Sequence, residues 1–420
     1  MFSLTLLFGD EAPILRETNF QFLLLATLLP VLGTALVSPV LDSLIGPLGA
    51  STATIGWMIS VFTAPAIVMI PLAGILADRY DRKAILVPSI TLFGLSGVGI
   101  AFTTDFRLVL VLRLLQGVGF AGINPIIITI LGDLYTSGTE ETAQGIRLLT
   151  SGLSGGLFPL FAGLLVVFAW QYPFLLYAVA FPIAIGMFLW FDEPTTADSS
   201  LSTDGGVGGD GSESYTRALW RLSRQRRVLA MVAARALMIP VFIGFITYNS
   251  LIVVRLLGGT PIQAGVLTAV VYFSFALSAS QAGRISAAFD SRLYPLLGAN
   301  VCLGFGFVIV LFAPGIVLAT VGTAILGLGF GIVGALYRSI ITGLAPVSLR
   351  AGLVSLSEAG GRVTATLTPP FIGAVVTIAS PVVGFESALQ LAGLLIAILG
   401  GGGGIICILV ASGSAPVSID

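Results

Sequence analysis

The stretch Gly74-Ile-Leu-Ala-Asp78-Arg79-Tyr-Asp81-Arg82-Lys83 joins two long apolar runs through a short loop crowded with charge. Gly74 has no side chain, so another helix can approach closely there. Asp78 falls at a helix end, where a facing helix N-terminus stabilises a carboxylate by about 0.3–1 kcal/mol when exposed. Arg79, Arg82 and Lys83 sit together in one short loop. In a chain that crosses a membrane, such a cluster marks the cytoplasmic face.

Composition says that the chain does cross one. Of 420 residues, 56% are hydrophobic and 9% charged, and the mean hydropathy is +1.05. A soluble domain carries roughly 25% charged residues, so this chain cannot dress a soluble surface of its size. It reads as an all-α membrane protein. A net charge of −1 gives no footprint for nucleic acid. With no His, and with Cys302 and Cys407 inside apolar runs, no metal site, cofactor or disulfide framework is expected. No phosphate-binding loop and no catalytic constellation appears, so neither an ATP-driven pump nor an enzyme is expected.

A helix needs about 20 apolar residues to cross the hydrocarbon core, and twelve segments qualify, at about 20–45, 52–77, 84–104, 108–134, 141–167, 171–191, 228–256, 261–286, 292–313, 316–342, 348–378 and 384–411. The start, Met1–Phe8, lacks a basic region, and no cleaved signal is expected. With Met1 inside, the cytoplasmic side holds Arg16, Arg79, Arg82, Lys83, Arg147, the arginines of 217–227, Arg284, Arg292, Arg338 and Arg350; the outer side holds Arg107 and Arg255. Both termini are therefore expected in the cytoplasm, and the protein in the inner (cell) membrane.

Residues 192–227 form the one long polar stretch. It begins as a Gly, Ser and acid linker with Asp198, Asp204, Asp210 and Glu213. It ends with Tyr215, Leu219 and Leu222 in one helical stripe and Arg217, Arg221 and Arg224 in another, the pattern of a short basic helix on the inner membrane surface. A linker whose charges only set topology is the other reading. The stretch separates two six-helix bundles, 1–191 and 228–420. The halves repeat: at one constant offset Gly49 meets Gly258, Gly56 meets Gly265, Ala73 meets Ala282, Gly74 meets Gly283, Asp81 meets Asp290 and Lys83 meets Arg292, without a gap across 49–83. Parallel repeats of this kind build transporters, with a substrate site between the halves near the midplane.

On these residues the quoted loop resembles the signature G-x-L-A-D-R-x-G-R-K between the second and third helices of the major facilitator superfamily, with Asp81 in place of the second Gly. The resemblance covers nearly the whole chain. It implies twelve transmembrane helices in two pseudo-symmetric bundles and secondary transport by alternating access. It also implies that Asp78 faces the start of the eleventh span, where Ser348 would be its N-cap, as an inner-gate latch between the halves. The inner-gate set is then Gly74, Asp78, Arg79, Arg82 and Lys83.

Ionisable groups at membrane depth are costly and mark function. In the fourth span, Arg113, Gln116, Gly117 and Gly119 resemble the R-x-x-Q-G-x-G motif of the drug/proton antiporters, and Arg113, Gln116, Phe120 and Asn124 share a helical face. A helix-packing Arg bonded to neighbouring carbonyls is the alternative. The seventh span lines up Met231, Arg235, Met238, Phe242, Phe245 and Asn249, a face suited to an amphiphilic guest or to an ordinary core. The first span offers Thr27, Thr34 and Ser38, and the eighth Tyr272 and Gln281. The eleventh carries Glu358 with Arg362 at i+4, a spacing that permits a pair; a structural ion pair is the alternative to a proton carrier. Asp42 and Asp133 are second-line acids. In the fifth span the stretch 152–163 looks like a degraded copy of the antiporter signature G-x-x-x-G-P-x-x-G-G, with Ser154, Phe158 and Ala162 replacing glycines. The run Gly400–Gly404 has no account beyond close packing.

We therefore expect a secondary active transporter, a monomer in lipid, acting on a small molecule with protons. Proton coupling is assigned to Glu358, Arg362, Arg113 and Asp42, and the substrate cavity to Thr34, Ser38, Gln116, Asn124, Arg235, Met238, Phe242, Phe245 and Asn249. The first reading is proton-coupled efflux of a hydrophobic or amphiphilic compound. The alternative is uptake or exchange of an organic anion, with arginines as clamps.

Overall fold

The computed structural model describes residues 14–77, 81–135, 137–192, 211–346 and 349–413. Among them every regular element is helical, as lipid requires of a chain whose backbone has no water to bond. Among the described residues eleven helices are long and apolar enough to span a membrane. We number the spans α1 (Thr18–Leu44), α2, α3 (Arg82–Phe102), α4 (Phe106–Leu134), α5 (Ser137–Phe168), α6 (Tyr172–Trp190), α7 (Arg226–Leu256), α8 (Pro261–Ala287), α9 (Leu293–Phe312), α10 (Ile316–Leu344), α11 (Arg350–Val383) and α12 (Phe385–Ser412).

The predicted second span is the exception. It forms two pieces, Trp57–Thr63 and Ala66–Ala77, together α2. Pro65 lies at the break, where it cannot donate the next helical hydrogen bond and its ring crowds the carbonyl four residues back. The basic segment before α7 is helical over Gly211–Ser223, with Leu222 buried and Trp220 exposed.

The internal repeat has a backbone counterpart. Gly49 and Gly258, which the offset superposes, both take positive φ, +60° and +62°, a conformation open to Gly and strained for other residues. Both sit in the turn ahead of a helix, so the two halves use the same backbone device at the same point.

Two compact units result, each built from more than one stretch. The first comprises Met1–Pro194, Ile246–Phe273 and Pro369–Ala374; the second comprises Thr195–Phe245, Ser274–Thr368 and Val375–Asp420. Within the second unit, the glycine run of α12 finds its reason. A Cβ on Gly401 would stand 3.0 Å from Gly304 Cα, one on Gly404 2.3 Å from Asn300 Oδ1, and one on Gly400 2.2 Å from Val241 Cγ2. The helix therefore lies almost backbone to backbone on α9 and α7. Its turn widens to a π-helix over Ile398–Gly402. Small residues are how membrane helices gain such contact.

Candidate functional site

In the first unit, Asp105 opens α4 by accepting a hydrogen bond from Arg107 N at 2.8 Å, a standard N-cap. Two turns on, Arg113 is fully buried. Its Nη2 donates to Gly33 O at 2.6 Å, its Nε to Met58 O at 2.9 Å, and its Nη1 to Gln116 Oε1 at 2.6 Å. The guanidinium lies 4.4 Å from the Phe62 ring centroid. A Cβ at Gly117 would stand 2.2 Å from Phe62 O, so this glycine lets α2 close in under the arginine. The Arg113 and Gln116 side chains thus join α1, α2 and α4 through backbone carbonyls. That is the geometry of the packing alternative, and no described carboxylate contacts Arg113. Tyr177 completes the cradle: its hydroxyl donates to Leu32 O at 3.1 Å and accepts from Arg113 Nη1 at 3.5 Å. Sequence reasoning missed it, because a lone Tyr in an apolar span carries no local signal.

The first unit also gathers the polar residues of α1 with those of α7 and α8. Ser38 and Thr268 share a hydrogen bond at 3.2 Å, and Asn249 Nδ2 donates to Thr268 Oγ1 at 2.9 Å and to Ala264 O at 2.7 Å. Thr34 bonds the Tyr272 hydroxyl. Asp42 is paired with Arg255 at 2.5 Å, and its backbone N–H donates to Ser250 Oγ at 3.2 Å. Asp42 therefore holds the end of α1 to the end of α7. Thr27 bonds its own helix, at Leu23 O. Asn124 accepts from Arg147 Nη1 at 3.1 Å.

The signature loop is described in part. Gly74 falls in Ala66–Ala77; Asp78, Arg79 and Ser348 lie outside the described residues. Arg82 pairs with Asp133 of α4. Lys83 Nζ donates to Phe191 O, beyond the last turn of α6, at 2.7 Å, where a cation meets the negative end of the helix dipole. Tyr135 donates to Glu17 Oε2 at 2.6 Å. Burial, and then this contact, push its hydroxyl above the usual tyrosine range, so it stays a donor.

In the second unit one carboxylate collects arginines from three helices. Glu358 on α11 receives Arg235 Nη2 of α7 at 2.5 Å and Arg338 Nη2 of α10 at 3.1 Å. Arg235 Nη1 also donates to Ser357 O at 3.0 Å. Arg362, the partner expected from spacing, interacts electrostatically with both Glu358 and Arg235. The direct bonds come from other helices, and Arg338, read from sequence as a topology charge, is one of the donors. From Arg235 the face of α7 continues through Met238 to Phe242, which stacks on Phe330 at 4.1 Å, while Phe245 meets Phe307 edge-on at 6.5 Å. Met238, Phe242 and Phe245 are all buried. Gln281 of α8 accepts from Arg284. Among the described residues no cluster could hold a metal ion.

The sequence profile of the Major Facilitator Superfamily matches residues 23–254. The bacillibactin exporter of Bacillus subtilis (strain 168) is 33% identical over 154 residues, covering 35% of this chain and 38% of that protein, well under two thirds of its length. The 3-(3-hydroxy-phenyl)propionate transporter of Escherichia coli (strain K12) is 26% identical over 360 residues, 82% of this chain and 84% of that one. Among solved structures, a bacterial homologue of the human lysosomal transporter Spinster, inward-facing and unoccupied, superposes with a TM-score of 0.77 at 18% identity, over 95% of this chain and 97% of that one. At that identity the likeness is one of fold.

Proposed function

The chain belongs to the major facilitator superfamily, and from that premise we propose that it is a proton-coupled exporter of a small hydrophobic or amphiphilic compound, working by alternating access with Glu358 as the proton-carrying group. One observation carries the coupling assignment: Glu358 is the described acid deepest within a candidate span, and it is held by arginines of two other helices. Such a carboxylate stays ionised while its partners hold it and accepts a proton when they move away. Export is supported by likeness to the bacillibactin exporter over its matched portion. In this reading the protein is a monomer of the inner membrane with both termini cytoplasmic, so that Asp42 and Arg255 lie at the outer end and Arg82, Lys83 and Asp133 at the inner one.

A second reading, transport of a small organic anion, is favoured by the excess of arginine around Glu358 and by likeness to a hydroxyphenylpropionate transporter. The test of coupling is flux into proteoliposomes with and without an imposed pH gradient. Glu358→Gln should abolish gradient-driven flux while substrate binding persists. Full gradient-driven flux in that variant refutes the assignment and turns attention to Asp42 and Asp133.

A further inference from the structure

Glu358 is one negative charge among three positive ones: Arg235 and Arg338 bond it directly, and Arg362 on its own helix adds its field. Surplus cations among apolar helices are costly, and such groups draw in an anion when one can reach them. Two further observations point to a guest. Arg235 is 5% exposed, yet its Nε has no acceptor among the described residues. A guanidinium presents its donors as a fork that a two-oxygen acceptor can bridge. The other side of the cluster is open, for the Glu358 and Arg338 side chains are 39% and 63% exposed. Along the same face of α7, one and two turns from Arg235, stand Met238 and Phe242, with Phe330 stacked on Phe242 and Phe275 at 5.5 Å from Phe330. The aromatic residues thus begin about 10 Å along α7 from Arg235, on the face that Arg235 shares.

We infer that this cluster is a carboxylate-binding subsite: a small aromatic carboxylate seats its anionic group on Arg235 and Arg338 in exchange for Glu358, which takes up a proton as it is displaced. The inference rests on Glu358 being the coupling group and gives the second reading its substrate class. No covalent bond changes. The guest brings one negative charge and water supplies one proton to a Glu358 oxygen, so the charge of the cluster is the same before and after. The charged groups facing Glu358 are Arg235 from α7, Arg338 from α10 and Arg362 from α11, and the first two hold its carboxylate by direct bonds. A guest carboxylate draws on Arg235 and Arg338 and weakens that hold. Guest and proton therefore assist each other's binding, and the assistance is reciprocal.

The experiment measures binding of benzoate, 3-phenylpropionate and the two corresponding amides to the full chain in phosphatidylcholine nanodiscs at pH 6 and pH 8. The acids are expected to bind about tenfold or more tighter than the amides, and their affinity to rise toward pH 6 by up to about tenfold per pH unit, as uptake of one proton requires. Glu358→Gln should bind the acids at pH 8 as the wild type does at pH 6, with no pH dependence. Arg235→Gln should lose the preference for acid over amide. Arg338→Gln, a change at a mostly exposed side chain, should weaken acid binding about tenfold and keeps the test alive should Arg235→Gln fail to fold. Equal binding of acids and amides by the wild type overturns the subsite, even where Glu358→Gln has lost gradient-driven flux and the coupling reading stands. A clear acid preference that keeps its pH dependence in Glu358→Gln overturns the exchange of guest for Glu358.

Discussion

The run Gly400–Gly404 offers a test of packing in which neighbouring, chemically identical substitutions should have opposite signs. Gly402→Ala places a Cβ no nearer than 4.0 Å to anything, the closest atom being Ile398 Cγ2. It should gain up to about 1 kcal/mol, because Ala loses less backbone freedom than Gly in a helix. Gly401→Ala gains the same, but its Cβ would lie 3.0 Å from Gly304 Cα and 3.1 Å from Asn300 O. Both are backbone atoms, so the helices must separate rather than a side chain swing aside. Overpacking of that kind costs about 1–3 kcal/mol. The two variants should therefore differ by about 1–3 kcal/mol, which at roughly 2 °C per kcal/mol for a large domain separates their melting temperatures by about 2–6 °C. Thermal unfolding of purified protein in one detergent, followed by cysteine-reactive dye or intrinsic fluorescence, measures it. If Gly401→Ala melts with or above Gly402→Ala, α12 does not lie on α9 as described, and the reason given for the glycine run is wrong.

Arg113→Lys should cost about 3 kcal/mol or more, since one ammonium cannot reach Gly33 O, Met58 O and Gln116 together and charged hydrogen bonds contribute about 1.5–3 kcal/mol each; a variant as resistant to denaturant as the wild type contradicts the carbonyl cradle. A cysteine at Ser200 should react only with membrane-permeant reagents in right-side-out vesicles and one at Ser51 with impermeant reagents too, and the reverse pattern overturns the orientation drawn from Lys and Arg. Asp78→Asn, which keeps volume and removes charge at the inner gate, should shift the distances between spin labels at the inner ends of the second and eleventh spans and reduce transport, because a population shift needs only a free-energy difference between states. An unchanged distance distribution dismisses the latch.

The sequence alone determined what lipid and local geometry dictate. Hydropathy and the absence of polar surface required an all-helical membrane chain, since a backbone in hydrocarbon must bond to itself. The Gly74–Lys83 loop and its second copy identified the superfamily, and the offset that superposes Gly49 on Gly258 has its counterpart in two turns with the same positive φ. Glu358 and Arg235 were legible one by one, because a charge amid apolar residues stands out in a linear string. What tertiary structure alone decided is who meets whom. Arg362 was the natural partner for Glu358 because spacing along one helix is all a sequence displays; Arg235 and Arg338 reach the same carboxylate from helices 123 and 20 residues distant. Arg113 read either as a proton-coupling group or as a helix-packing one, and its donors end on the carbonyls of two other helices, acceptors that every residue carries and no sequence pattern marks. The run of five glycines in α12 was an anomaly for the same reason: the cost of a missing side chain is local and readable, whereas the approach of α9 and α7 that it permits is a contact between segments about 100 and 160 residues away in the chain.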